Sequence, residues 1–464
     1  MKKILVILDG ASDLGVDVFG GRTPLEEAET PNLDWFAKNG RLGYMYPISE
    51  SIIPESDSSI LNLFGNDYKL YGRGVFEAVG LGFKLNKGDL AFRTNFGTIE
   101  NMKTRKVIDR RAGRTLSSEE SKLLADSLNK NIKLPCRFEF KAGVQHRGAL
   151  VFRGGFCDDI SNIDTEWSKT GNKNMFEFSK ALNDNESCEY SASLVNRFAD
   201  QSFKILVNHQ VNLKRNEKGL FPANMVFLRG ACSDIPNLKK YRTWMSINSM
   251  PLEIGIAKFS EMENFSFKYP ELKGIDVYEN LYDGLNQHIK FAIKTIRKRH
   301  RDFRGCYIQF KETDVPGHDN KPHEKKKMIE VIDKDFFGFL REFIDGRDIR
   351  VVVTCDHSTP CKLKAHSADP VPVLVYDRKN KDRMTHFNER MAIAGSLGGF
   401  YGKDFMKKSG LDKWTFLSSI SERFIYSMIN ANKYDFSKPL YKILWAYKII
   451  VGISKKIKQE RDCL

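Results

Sequence analysis

The sequence predicts an α/β protein: a parallel-rich sheet with helices on both faces, into which a second α/β unit is inserted. Three short apolar runs, Lys3–Leu8, Cys306–Phe310 and Ile349–Cys355, lead into acids at Asp9, Asp314 and Asp356. Two long segments carry apolar residues at three- and four-residue steps. Between them and the first run, residues 89–242 change character to short strands and polar turns. A chain of 464 residues has room for two to four domains at about 100–200 residues each.

The elements follow in order. Lys3–Leu8 is aliphatic and short, as a buried strand should be. Its lysine-led start imitates a signal peptide, but Asp9-Gly10 ends the apolar run too soon for a secretory segment. Pro54-Glu55-Ser56-Asp57 is a turn signal before an expected helix at Ser58–Gly65. Ser56 then sits at a helix N-terminus, where N–H groups and the helix dipole favour an anion. Short strands are expected at Ala91–Thr98, Gly148–Phe152, Lys204–Val207 and Met225–Arg229. Leu281, Leu285, Ile289, Ile293 and Ile296 predict a helix over Tyr278–Arg297. Met328, Ile329, Ile332, Phe336, Phe339, Leu340 and Phe343 predict another between the second and third apolar runs. Strand–helix–strand is the crossover unit of a parallel sheet. Residues 1–84 and 246–412 therefore read as a metal-binding core, 85–245 as an inserted substrate-binding cap, and 413–464 as a basic helical tail.

Ligands bind outside the carboxyl ends of strands in open α/β sheets, so the three acids point to one site. Of nine histidines, His318, His357 and His366 fall in or just after these acidic segments. Together with Asp9, Asp314 and Asp356 they make six oxygen or nitrogen donors. That set suits Mn²⁺, Zn²⁺ or Mg²⁺. It is too large for one catalytic ion with an open position, which favours two ions, the usual clamp for in-line phosphoryl transfer. Ser56 is the candidate nucleophile. Arg110, Arg111 and Arg114 lie within five residues, and with Arg229 they offer planar forks for phosphate or carboxylate. His146 is a candidate proton donor or acceptor.

These residues resemble the cofactor-independent phosphoglycerate mutases, archaeal-type branch, of the alkaline phosphatase superfamily. The resemblance spans about residues 1–410. It rests on Asp9-Gly10, Gly21–Glu26 with Thr30-Pro31-Asn32, Ser56-Asp57, Gly72-Arg73 with Glu77-Ala78, and Asp109–Arg114. Pro222-Ala223-Asn224, Leu228-Arg229-Gly230, Asp356–Pro360 and His366–Pro372 complete it. It implies an alkaline-phosphatase-like core and two metal sites, Asp314, His318 and His366 in one and Asp9, Ser56, Asp356 and His357 in the other. It also implies a phosphoserine at Ser56, interconversion of 3-phosphoglycerate and 2-phosphoglycerate, and no 2,3-bisphosphoglycerate cofactor. Asp159 joins the substrate-binding candidates on this basis. Four positions depart from the family pattern: Glu55 for glycine, Ile60 for asparagine, Ile254 for lysine and Asp158 for histidine. They cluster near the substrate rather than the metals. A metal-dependent phosphatase or phosphomutase acting on another phosphate ester therefore stays open.

Lysine and arginine total 74 against 59 acids, a net charge of +15. Such an excess calls for an anionic partner. Arg297–Arg301 is a basic run at a helix end, without the aromatic platforms that nucleic acid binding needs, so nucleic acid is not expected. Residues 413–464 hold 10 Lys/Arg and 4 Asp/Glu. Their apolar, lysine-flanked stretch at 438–458 suits a helix packed on the core or on a partner subunit, and also a membrane surface, which leaves open a module anchored by its tail. Eight scattered cysteines read as reduced thiols of a cytoplasmic protein, peripheral at the membrane if the tail binds there.

Overall fold

Aliphatic side chains on both faces of a strand need helices on both faces to cover them. The first strand, β1 (Lys3–Leu8), buries every residue from Ile4 to Leu8. The structure, a computed structural model, describes residues 2–165, 174–272, 274 and 276–412. After β2 (Arg41–Tyr46) the chain leaves for a second sheet. That sheet holds β3 (Leu90–Ile99), β4 (Val107–Asp109), β5 (Arg137–Ala142), β6 (Arg147–Arg153) and β7 (Met225–Cys232), all antiparallel. The chain then returns through β8 (Trp244–Ile247), β9 (Glu263–Phe265), β10 (Gly305–Phe310), β11 (Arg350–Thr354), β12 (Val371–Tyr376) and β13 (Gly398–Tyr401).

The larger sheet has eight strands in the order β13-β2-β12-β11-β1-β10-β8-β9. β1 pairs in parallel with β10 on one side and β11 on the other. The carboxyl ends of these three strands therefore lie side by side. Only the pairings of β12 with β11 and β2 run antiparallel. This is the expected parallel-rich α/β core. Ile4–Leu8, Ile308 and Val351–Val353 belong to one apolar cluster and Phe92, Phe96, Phe152 and Phe198 to another, while Ala91, Ala149, Val151 and Cys232 on the second sheet join the first.

The crossover from β10 to β11 is helical, as the periodicity predicts, but not uniform. Pro322–Val331 and Gly338–Ile344 are α-helical, and Ile332–Phe337 between them is a π turn. The buried Asp333 in this turn accepts hydrogen bonds from the backbone N–H of Asn32 (3.2 Å) and Leu33 (2.6 Å). These open the helix Pro31–Lys38, so the π turn aims a carboxylate at a helix N-terminus.

Two expectations are corrected. Lys204–Val207 is not a strand: Lys204 to Leu206 end the helix Glu186–Leu206. The buried Leu194, Val195, Phe198, Ala199, Ser202 and Leu206 recur at helical steps, and four residues were too short a window to show it. The cysteines are not all reduced: Cys157 and Cys188 form a disulfide, their Cα atoms 4.9 Å apart across 31 residues of sequence. Tertiary packing of the Cys157 loop on the start of that helix makes the pair, which spacing alone does not reveal. Among the described residues no helix is long and apolar enough to cross a membrane. The tail at 413–464 lies outside the described residues.

Candidate active site

The carboxyl ends of β1, β10 and β11 deliver the donors. Asp9 follows β1 directly and is fully buried. Gly10 adopts φ +55°, and a Cβ there would stand 2.4 Å from Thr359 Oγ1 and 2.6 Å from Asp314 Oδ1. Only glycine lets these loops approach so closely. Asp314 opens the short helix Asp314–His318, which places His318 Nε2 3.4 Å from Asp314 Oδ2. Asp356 Oδ1 accepts from the N–H of Gly10 and of His357, both at 3.1 Å. His366 Nε2 lies 3.7 Å from Asp314 Oδ1, and its ring stacks on His357 with centroids 3.7 Å apart.

Each of these histidines has its Nδ1 occupied. His357 Nδ1 meets Thr359 Oγ1 at 3.0 Å, His366 Nδ1 meets Pro54 O at 2.9 Å, and His318 Nδ1 meets Lys364 O at 3.1 Å. Each Nε2 is left facing carboxylates, the arrangement that metal-ligating histidines use. Ligand atoms of Asp314, His318 and His366 lie within 4.8 Å of one another. So do those of Asp9, Asp314 and His357. The buried Asp9 Oδ1 has no hydrogen-bond partner. Two clustered donor sets and an orphaned carboxylate oxygen fit divalent ions well. One detail differs from the expected partition: Asp314 falls in both clusters. Asp356 approaches the second at 3.4 Å from His357 Nε2.

Electrostatics follow from burial and these pairs. Burial, with the Asp356 charge beside it, raises the Asp9 carboxyl to about 6. Burial also presses on Asp314, but His318 and His366 outweigh it and hold that carboxyl well below its usual range. Burial, together with the charge of His366, lowers His357 to about 3. His366 itself is held up to about 9, because Asp314 and Glu55 overcome the cost of burial.

Ser56 is the first residue of the helix Ser56–Leu63 and is buried. Its Oγ lies 3.2 Å from His357 Nε2 and 3.4 Å from Lys311 Nζ. It opens onto a cavity of about 760 Å³ that also meets Asp314, His318 and His366. Arg110, Arg111, Arg114, His146 and Arg229 line the same cavity. Arg110 grips the buried Asp164 with two 2.7 Å contacts, and Arg114 pairs with Asp319 at 2.7 Å. Burial and four neighbouring arginines drive the His146 pKa far down, so this ring is neutral. Asp159 does not reach the cavity lining; it accepts from Asn183 at 2.5 Å. Glu55 lies at the rim, 3.8 Å from Arg229 and 3.9 Å from His366. Ile60 is buried in the core, and Ile254 lies on the helix Pro251–Phe259 and does not line the cavity.

Sequence reasoning missed Lys311, Glu253, Arg73, Arg93, Arg147 and Asp164. Arg93 and Asn95 lie two residues apart on β3, and their cross-strand partners are Arg229 and Arg147. Directly paired residues share a face of the sheet, so this face is cationic where it lines the cavity. The polar run Arg93-Thr94-Asn95 within a mostly apolar strand was the available signal. Like charges opposite one another in a sheet cost stability; the buried Glu77, 2.9 Å from Arg73 and 3.7 Å from Arg93, offsets part of that cost.

Fold and donor set define the class: an α/β protein with acidic and histidine side chains gathered at the carboxyl ends of three parallel strands, beside a buried serine. A sequence profile of the 2,3-bisphosphoglycerate-independent phosphoglycerate mutase family matches residues 37–212. A protein of that name from Thermococcus kodakarensis is 36% identical over 420 residues, covering 87% of this chain and 95% of the relative. Its counterpart in Pyrococcus furiosus is 35% identical over the same length, again covering 87% and 95%. A solved protein from Pyrococcus horikoshii superposes with TM-score 0.68 at 27% identity, covering 89% of this chain and 98% of that one. The cofactor-independent phosphoglycerate mutase of Thermoplasma acidophilum gives TM-score 0.54 at 28% identity, covering 89% and 99%. The chain belongs to the 2,3-bisphosphoglycerate-independent phosphoglycerate mutase family.

Proposed function

We propose that this protein interconverts 3-phosphoglycerate and 2-phosphoglycerate, with Ser56 as the phosphoryl carrier. The observation that supports this most is the position of the Ser56 hydroxyl. It sits at a helix N-terminus between His357 and Lys311, facing an arginine-lined cavity. Residues 1–84 and 246–412 serve as the core and 85–245 as the substrate-binding cap. Asp314, His318 and His366 would hold one divalent ion, and Asp9, Ser56, Asp356 and His357 a second; Mn²⁺, Zn²⁺ and Mg²⁺ all suit this set. When bound, such ions supply Lewis acidity and neutralise charge on the transferring phosphoryl group.

The chain's own residues do the rest. Arg111, Arg114, Arg229 and the face of Arg93 and Arg147 hold the phosphate and carboxylate of the substrate. Ser56 Oγ gives up its proton and attacks phosphorus, the ester P–O bond breaks, and the departing glycerate oxygen takes up a proton in exchange. Glycerate turns within the closed cavity, and neutral His146 accepts from or donates to its hydroxyls. The second hydroxyl attacks the phosphoserine, releasing Ser56 and the isomer. Exclusion of water separates this outcome from hydrolysis.

Either isomer, supplied with Mn²⁺ and no bisphosphate, should relax to a mixture of both without release of inorganic phosphate. Phosphate release without isomerisation would assign a phosphatase instead. No reaction with either isomer would remove the substrate assignment, and full activity in Ser56→Ala would remove the mechanism.

A further inference from the structure

Lys311 occupies an unusual place. Its ammonium contacts Asp9 Oδ2 closely and lies 3.4 Å from Ser56 Oγ. These are two of the groups assigned above to the second ion. On its other side it lies 3.2 Å from Glu253 Oε1. Glu253 is 1% exposed, lines the cavity and accepts no hydrogen bond at either oxygen. A buried carboxylate without hydrogen bonds is costly unless a cation serves it. Glu253 shares one cation with Asp9, whose Oδ1 is also without a partner. One ammonium thus stands between two seats, one of which is a candidate metal ligand.

We propose that Lys311 is a built-in, displaceable cation at the second metal position, and that Glu253 is the carboxylate that receives it when the ion binds. This rests on the assignment of Asp9 as a metal ligand. In the metal-free protein the ammonium neutralises Asp9, so the carboxylates at the ends of β1, β10 and β11 do not repel one another unopposed. A divalent ion takes over that task, and the ammonium moves toward Glu253 while staying within reach of Ser56 and an arriving phosphoryl group. Lys311 and Glu253 are positioning residues, setting how readily the second ion enters.

The test is calorimetric and thermal, not catalytic. Mn²⁺ titrations and melting curves, with and without Mn²⁺, are compared for the wild type, Lys311→Met, Glu253→Gln and the double variant. Lys311→Met should melt lower without metal, gain more from Mn²⁺ than wild type, and bind the second ion about tenfold more tightly, mid-range for residues in direct contact. Glu253→Gln should bind it about tenfold more weakly, and the double variant should return toward wild type. If Lys311→Met does not fold, Glu253→Gln and a crystal structure of the Mn²⁺-loaded wild type still decide. Lys311 should lie on Glu253 there, and Lys311 still on Asp9 beside a bound ion would overturn the proposal. Two ions bound by every variant with wild-type affinities would overturn it while leaving the metal assignment intact. A wild type that takes up no divalent ion would defeat both.

Discussion

At the scale of single residues, Ser56 and His366 carry the sharpest expectations. Ser56→Ala removes the only atom proposed to carry phosphate, yet leaves Asp314, His318 and His366 untouched. Isomerase activity should fall by about 10³-fold or more, while Mn²⁺ titration still registers the Asp314 cluster. Loss of ion binding together with activity would instead make Ser56 a structural element. His366 sets a pH dependence. Burial would lower its pKa, but Asp314 and Glu55 hold it up at about 9, so the imidazole is protonated at neutral pH without metal. An imidazolium does not ligate, and the ion must displace that proton. Ion affinity should rise as pH rises from about 6.5 toward 9, approaching tenfold per unit for one displaced proton. The same raised pKa favours the folded metal-free protein fully below about 6.5, the ordinary value. That contribution is lost as pH climbs through about 9. Titrations at several pH values check the first point, and metal-free melting curves check the second. A flat affinity profile would show that His366 is no ligand.

At the scale of elements, the loops after β1 and β11 are fixed by one buried lysine. Lys325 is fully buried; it donates to Asp13 Oδ2 at 2.7 Å, to Thr359 O at 2.9 Å and to Ser12 O at 3.2 Å. It joins the loop that follows Asp9 to the one that follows His357. Lys325→Met should cost about 3–5 kcal/mol, since it leaves Asp13 as an unpaired buried charge. Denaturant melts would measure that loss, and Mn²⁺ affinity should fall with it. Gly10→Ala acts at the same crossing by another route. Its Cβ would press on Thr359 and Asp314 in a backbone region that side chains avoid. A loss of about 1–3 kcal/mol is expected, again read by melting. Wild-type stability in either variant would mean the loops have room that the structure does not give them.

Most of these elements were legible in the sequence, and the exceptions have physical causes. β1, β10 and β11 announce themselves because strands buried on both faces are continuously apolar. Val277–Arg299 is visible because one face repeats at helical steps. Lys204–Val207 misled because four apolar-rich residues at a helix end look like a strand when the preceding turns are ignored. Arg93 was overlooked because it is a single charge in a mostly apolar strand, and Arg147 because it stands at a strand end, where it reads as part of the turn. Only pairing with β7 and Asn95 puts them on one face with Arg229.

At the scale of the whole molecule, the +15 charge divides into two parts. Within the described residues, the arginines of the cavity supply a local field for an anionic substrate. Residues 413–464 add 10 Lys/Arg and 4 Asp/Glu outside the region that holds Ser56 and the donor clusters. A chain ending at 412 should therefore keep isomerase activity within about twofold, a change worth less than about 0.5 kcal/mol. Tenfold or greater loss in that chain would give the tail a part in the reaction.

The sequence by itself determined the α/β class and pointed to the strand ends at Asp9, Asp314 and Asp356 and to the candidate donors. Hydrophobic periodicity is local, and an acid that ends an apolar run in an α/β sheet falls at the ligand-binding edge. Tertiary structure decided what no local pattern encodes. It put Asp314 within reach of both donor clusters, tied Cys157 to Cys188, withdrew Asp159 from the cavity, and set Lys311 between Asp9 and Glu253. Each depends on residues far apart in sequence, Lys311 and Asp9 being separated by 302 positions. Burial then gives these pairs their strength, because a charge removed from water must find its counter-charge within the fold.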